Sequence, residues 1–220
     1  MAQVGSGAQL RSLIELGHPP ALATVLEMGG RRASDSLLYA PLVVLIVAAD
    51  PAAGLQAFTD PDLSDEGRQA LAEALGRSGD YRALETLCQA THALDEELRI
   101  AALRGLASLG HPAAEPAVLN ALEDPVWMVR SAACEAAGRI GLGSAIPRLA
   151  SQLEDPMWWV RFWAGEALWA LGAPGRAQQV RTLTEGGDVA RRTASMVLPS
   201  TASAPRPLDG DRRRGAGARR

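Results

Sequence analysis

The chain has no lysine. Its 22 basic residues are all arginine, and 25 acidic residues outnumber them, leaving a formal charge of −3. A body of that sign is not built to neutralise phosphates, so nucleic acid is not an expected partner. Cysteine is nearly absent as well. Cys88 and Cys134 are too few and too far apart for a disulfide framework, and neither has the CxxC or Cys/His spacing of a zinc site. No long hydrophobic run is present. The most apolar stretch, Leu37 to Ala49, is 13 residues long and contains Pro41, whereas a membrane span needs about 20 residues. Met1 to Leu16 lacks a basic segment followed by an apolar one, so no signal peptide is expected and the cytoplasm is the expected compartment. Aromatic residues make up only 4%, yet five of them are tryptophan. What remains is ordinary for a folded chain of 220 residues, with 47% apolar and 21% charged content, which excludes wholesale disorder.

A repeat dominates the sequence. Arg68, Arg99, Arg130, Arg161 and Arg192 recur every 31 residues, and Gly79, Gly110, Gly141 and Gly172 follow the first four at a constant offset of 11. Stepping back from Gly79 gives Ala48 and then Gly17. Leu16-Gly17-His18-Pro19 returns as Leu109-Gly110-His111-Pro112, and Asp124-Pro125-Val126-Trp127 returns as Asp155-Pro156-Met157-Trp158. Markers this numerous in one register define a structural unit.

Each unit reads as two helices. Three, seven and ten residues after the arginine lie Leu71, Leu75 and Ser78; Ala102, Leu106 and Leu109; Ala133, Ala137 and Ile140; and Ala164, Leu168 and Leu171, all on one helical face. Asp124 and Asp155, each before a proline, are expected as N-caps, and the glycine fits a left-handed C-terminal cap. A second helix follows, with Leu84 and Leu87, Val118 and Leu122, or Ile146, Leu149 and Leu153 facing inward and Pro116 or Pro147 in its first turn. Such pairs cannot bury their apolar stripes alone and must stack. The expectation is an all-α solenoid over residues 5–198: hairpins near 5–28, 34–58, 63–91, 94–122, 125–153 and 156–184, then a terminal helix near 188–198. Residues 199–220 are expected to form a disordered Arg-rich tail. Ser200 to Arg220 carries six Arg and two Asp, a formal +4, against −7 for the preceding 199 residues, so any weak contact with nucleic acid, an acidic protein or the chain's own acidic body is expected through this tail.

The run Asp124-Pro-Val-Trp-Met-Val-Arg130, followed by Ala132-Ala133 and Glu135-Ala136-Ala137-Gly138, resembles the short HEAT-like repeat named after phycocyanobilin lyase subunits, as does Asp155 to Gly172. The resemblance covers about residues 62–172 strongly. It implies a ladder of hydrogen bonds between neighbouring units, made by an Asp and the Arg six residues later: Asp62/Arg68, Asp124/Arg130 and Asp155/Arg161. Ala93 and Gly186 stand in the Asp position before Arg99 and Arg192, where the junctions should be weaker or differently shaped. One solenoid hosts many activities, so the repeat specifies fold better than function.

Tryptophan supplies the candidate binding surface. Between Met157 and Leu171, Trp158, Phe162, Gly165 and Trp169 form a second stripe beside the core stripe, and Trp159 and Trp163 lie next to it. Neighbouring hairpins could cover these rings, or with Trp127 they could form an exposed aromatic anchor, since tryptophan is enriched at binding hot spots. His18 and His111 read as turn residues, and with only His92 besides, no metal site is expected. Glu73/Arg77 and Glu135/Arg139 have the spacing of solvated helix-face pairs.

These residues point to a monomeric, non-enzymatic protein-interaction scaffold without cofactor, metal or membrane contact. No nucleophile–base constellation emerges. The resemblance supplies the alternative, a bilin lyase-like chromophore-handling protein. The HEAT-like deoxyhypusine hydroxylases carry His-Glu iron ligands just after the repeat Arg, where this chain has Gln69-Ala70, Ile100-Ala101, Ser131-Ala132 and Phe162-Trp163. The HEAT-like alkylpurine DNA glycosylases grip DNA with a basic face, which the −7 body opposes.

Overall fold

A computed structural model describes residues 21–28 and 36–197. The first helix of the 5–28 hairpin, His18 and the 199–220 tail lie outside the described residues. Among those described there are twelve α-helices and no strand: α1 (Leu22–Met28), α2 (Ser36–Ala49), α3 (Pro51–Phe58), α4 (Asp65–Ser78), α5 (Leu84–Ala90), α6 (Glu96–Leu109), α7 (Glu115–Ala121), α8 (Trp127–Ile140), α9 (Ile146–Gln152), α10 (Trp158–Ala170), α11 (Gly172–Glu185) and α12 (Asp188–Val197). The long helices α2, α4, α6, α8 and α10 pack one on the next, and each of α5, α7 and α9 lies mainly against the first helix of the following repeat. This is the all-α repeat solenoid expected from the period.

The repeat markers do local work. Gly79, Gly110, Gly141 and Gly172 all have positive φ, between 69° and 85°, a conformation that costs a residue with a Cβ about 1–2 kcal/mol. Three of these turns continue through short 3₁₀ segments, Tyr81–Ala83, Pro112–Ala114 and Gly143–Ala145, before the second helix begins. Where Ala48 replaces the glycine, the chain turns differently. Asp50 caps α3, its Oδ1 accepting from the Ala53 amide at 3.1 Å, with Pro51 at the first helical position, and the chain bends by 118° between α2 and α3. In the last hairpin α11 starts directly at Gly172, without a 3₁₀ segment.

The expected core face is buried. Leu71, Leu75, Ala102, Leu106, Ala133, Ala137, Ala164 and Leu168 are inaccessible, and Ser78, Ile140 and Leu171 at the helix ends are half-buried. Small residues let the long helices approach closely: a Cβ on Gly76 would lie 2.2 Å from the Gly105 carbonyl oxygen. No single described helix is long and apolar enough to cross a membrane. Leu42, Val43, Ile46 and Val47 of the most apolar run are instead buried in the stack.

Two local expectations are corrected. Asp124 and Asp155 are not N-caps. Each sits two residues earlier and closes an Asx turn, its Oδ1 accepting the amide of Val126 or Met157 at 2.8 Å, and the helices begin at Trp127 and Trp158. The true cap positions in this register are Ser64 and Asp95, which accept from Gly67 at 3.1 Å and Leu98 at 2.9 Å. Glu73 does not pair within its helix. It takes Arg104 of the next repeat at 3.3 Å, whereas Glu135 and Arg139 do pair at 3.4 Å.

Candidate functional site

The arginine ladder runs forward along the solenoid. Arg99 Nε and Nη2 donate to Asp124 Oδ2 and Oδ1 at 3.0 and 3.2 Å, and Arg130 donates likewise to Asp155 at 2.8 and 3.1 Å. The third nitrogen turns back. Arg130 Nη1 donates to the Asp124 and Pro125 carbonyls at 2.8 and 3.1 Å, and Arg99 Nη1 to those of Ala93 and Leu94 at 3.0 and 3.1 Å. The Asp six residues before the Arg therefore gives its backbone carbonyl, and the carboxylate comes from the Asp 25 residues ahead. Planar bidentate geometry of this kind is why arginine serves here.

This register moves the broken rungs. Ala93 deprives Arg68 of a carboxylate, and its guanidinium donates instead to the carbonyls of Phe58, Asp60 and Leu63 at 3.0, 3.1 and 3.2 Å. Among the described contacts the exposed Asp62 carboxylate has no share in a rung. A substitute link forms one residue on, from Gln69 Nε2 to Asp95 Oδ2 at 2.9 Å. Gly186 deprives Arg161, whose Nη1 keeps the Asp155 and Pro156 carbonyls at 2.7 and 3.0 Å while its buried Nε has no acceptor among the described residues. Arg192 is exposed and makes no ion pair among the described residues.

Four of the six candidate aromatics come together on α10. Trp158 stacks on Phe162 with centroids 5.3 Å apart and meets Trp159 edge-on at 4.6 Å, while Phe162 meets Trp163 edge-on at 5.5 Å. Trp158 and Trp159 remain 45% and 50% exposed, Phe162 is half-buried, and Trp163 packs against the core. The other two are elsewhere. Trp169, near the far end of α10, lies under the Arg176 guanidinium at 5.1 Å, a contact that only the position of α11 creates, and Trp127 packs half-buried one repeat back. Gly165, placed on the aromatic stripe by its spacing, is buried, and its carbonyl accepts from Gln179 Nε2 at 2.9 Å.

Titratable chemistry is sparse. Cys134 is buried and free, and burial pushes its thiol well above the usual range; Cys88 is half-buried and shifted the same way, by burial first and Glu85 second. No three His, Cys, Asp or Glu side chains among the described residues gather as a metal site. His111 is a turn residue, its Nδ1 accepting from the Ala113 amide at 3.1 Å and its ring edge-on to Tyr81 at 5.0 Å.

Comparison with solved structures places this architecture beside that of a complex of CpcE and CpcF of phycocyanin lyase from Nostoc sp. PCC7120, at 24% identity and a TM-score of 0.55, over 77% of this chain and 72% of that one. Human deoxyhypusine hydroxylase aligns at 19% identity and a TM-score of 0.37, over 86% of this chain and 87% of that one. An engineered protein aligns at 15% identity and a TM-score of 0.41, over 88% and 83% respectively. Comparison with curated protein sequences finds no match. The first of these structures corrects the expectation of a non-enzymatic chain. Its fold is that of a lyase, so this architecture serves enzymes, and the lack of a recognisable nucleophile and base does not mark a solenoid as non-catalytic. The family model for HEAT repeats matches residues 52–131, 84–169 and 115–198, together most of the chain. The chain belongs to the HEAT repeats family.

Proposed function

We propose that this solenoid binds a protein partner through the aromatic face of α10. The observation that carries the reading is the exposure of Trp158 and Trp159, 45% and 50% of each residue, while both are held against Phe162. Large rings fixed by their neighbours bury much area on binding at small entropic cost, which is why tryptophan dominates binding hot spots. Stacked repeats supply the rigid support such an anchor needs. The test is partner recovery from the native source with Trp158→Ala and Trp159→Ala chains of unchanged helicity. Loss of specific partners supports the reading, and full recovery refutes it.

A second reading, chromophore handling of the bilin lyase kind, draws support from the same exposed rings in a fold shared with phycocyanin lyase subunits. A tetrapyrrole is flat and apolar enough to lie on them. Mixing the chain with a free bilin and recording the visible spectrum separates the two, because a shift abolished by Trp159→Ala belongs to this reading alone.

A further inference from the structure

The helices α4, α6, α8 and α10 begin one period apart, at Asp65, Glu96, Trp127 and Trp158. Successive long helices pack side by side, so their first turns form one ridge along the solenoid. The ridge changes character halfway. It carries Asp65-Glu66 and Glu96-Glu97 on α4 and α6, then Trp127-Met128 and Trp158-Trp159 on α8 and α10. Acid in a first turn favours any helix through its dipole, but that effect would favour acid on α8 and α10 equally and does not explain the switch. Asp65, Glu66 and Glu97 are exposed and Glu96 is half-buried, and none of the four forms an ion pair among the described residues. Arg68 and Arg99 stand one turn further on. Arg99 holds Asp124, and Arg68 is turned to backbone carbonyls beside two more exposed acids, Asp60 and Asp62. At the aromatic end the charge left over is of the other sign, because Arg161 has no carboxylate among the described residues.

We propose that the partner docks along this ridge through a segment with Arg or Lys at one end and apolar side chains at the other, its cations over the first turns of α4 and α6 and its apolar end on Trp158 and Trp159. The inference rests on the reading of the α10 face as a docking surface and adds the chemistry and direction of what docks. Charge complementarity selects the occupant. Four acids without ion pairs, on a body of −7 over residues 1–199, attract a cation and repel an acidic segment or a nucleic acid. Direction follows from the two ends, since Arg161 repels the basic end from the rings while the acids of α4 and α6 attract it. Ser200 to Arg220 is basic as well, but Leu208 is its one large apolar residue, so it matches only the acidic half. Glu97 and Trp159 are two interhelical steps apart, about 16–20 Å, so about five or six extended residues separate the basic and apolar positions.

The experiment selects binders to the full chain from a random dodecapeptide library. The best peptides are resynthesised, each also with its Arg and Lys changed to Gln, and their Kd values are measured on wild type, on Trp159→Ala and on a chain carrying both Glu96→Gln and Glu97→Gln. The expected result is enrichment of sequences basic at one end and apolar at the other. Removing the peptide's cations should weaken binding about fivefold or more on wild type and far less on the double Gln chain, while Trp159→Ala weakens both peptide forms alike. The change within the peptide leaves the protein untouched, so the answer does not depend on the stability of the variants. Peptides that need Trp159 but tolerate loss of their cations, or complexes that a single-stranded oligonucleotide displaces, overturn the basic–apolar segment and leave the docking face standing. Peptides that bind tenfold or more tightly once the six tail arginines are changed to Gln overturn it too, because the tail is then the occupant. Failure to select any peptide sensitive to Trp159 overturns both readings.

Discussion

Arg130 grips Asp155 across a repeat boundary, with Nε 2.8 Å and Nη2 3.1 Å from the two carboxylate oxygens and the side chains only 15% and 5% exposed. One period later Arg161 keeps the two equivalent backbone carbonyls and has no carboxylate among the described residues. The pair is therefore a built-in comparison. Both Arg→Ala changes lose the carbonyl bonds, but only Arg130→Ala strands a buried anion. Urea unfolding should show Arg130→Ala costing about 2 kcal/mol more than Arg161→Ala. Equal losses would mean that the carboxylate adds nothing to the stack.

Glycine serves the solenoid for two different reasons, and alanine substitution separates them. Gly110 has φ of 69° with open space where a Cβ would stand, so Gly110→Ala should cost about 1–2 kcal/mol of backbone strain alone. Gly76 sits in a helix, where alanine is otherwise favoured, but its Cβ would meet the Gly105 backbone at 2.2 Å. Gly76→Ala must push α4 and α6 apart and should cost roughly 3 kcal/mol. Thermal melts of the two variants check the order, and a Gly76→Ala chain as stable as wild type would refute the close approach.

The stacked hairpins were legible because each period carries a backbone demand that only certain residues meet, as the left-handed turn at Gly141 does. The direction of the ladder was not. Asp124 precedes Arg130 by six residues and does bond to it, but through its carbonyl, and spacing within one unit cannot say which neighbour receives the carboxylate. Asp124-Pro125 looked like a cap and first helical residue because an Asx turn and an N-cap use the same side chain on nearby amides. The helical wheel put Trp158 beside Phe162 correctly. It could not reveal Arg176 over Trp169 or bury Gly165, because both depend on where α11 lies.

Tyr39 gives the stack an alkaline limit. Its hydroxyl is buried without a hydrogen-bond partner among the described residues, and burial, reinforced by Glu66, pushes its pKa up to about 12 from 10.0. An acid whose folded pKa is raised stays protonated in the native state after the unfolded chain has ionised. Stability is therefore unaffected below the unfolded pKa and falls as pH rises from about 10 toward 12. Tyr39→Phe should remove that loss, and it should leave stability at neutral pH unchanged or slightly higher because a stranded hydroxyl goes with it. Urea midpoints of both chains at pH 8 and pH 11 decide the matter, and parallel declines would show that Tyr39 is not the responsible group.

The tryptophans of α10 should divide between stability and binding. Trp163 packs against the core, and removing its ring leaves a gap that the rigid stack closes only in part, so Trp163→Ala should cost roughly 2–3 kcal/mol. Trp158 and Trp159 touch Phe162 and each other but face solvent over about half their surface. Their replacement by alanine should cost about 1 kcal/mol or less, the scale of an aromatic pair beyond its buried area. Partner recovery should follow the opposite order, falling most for Trp158→Ala and Trp159→Ala measured well below their melting temperatures. If all three variants lose stability alike, the exposed rings are part of the core in solution and the docking face does not exist. If stability divides as expected and recovery does not change, the face exists and the partner uses another surface.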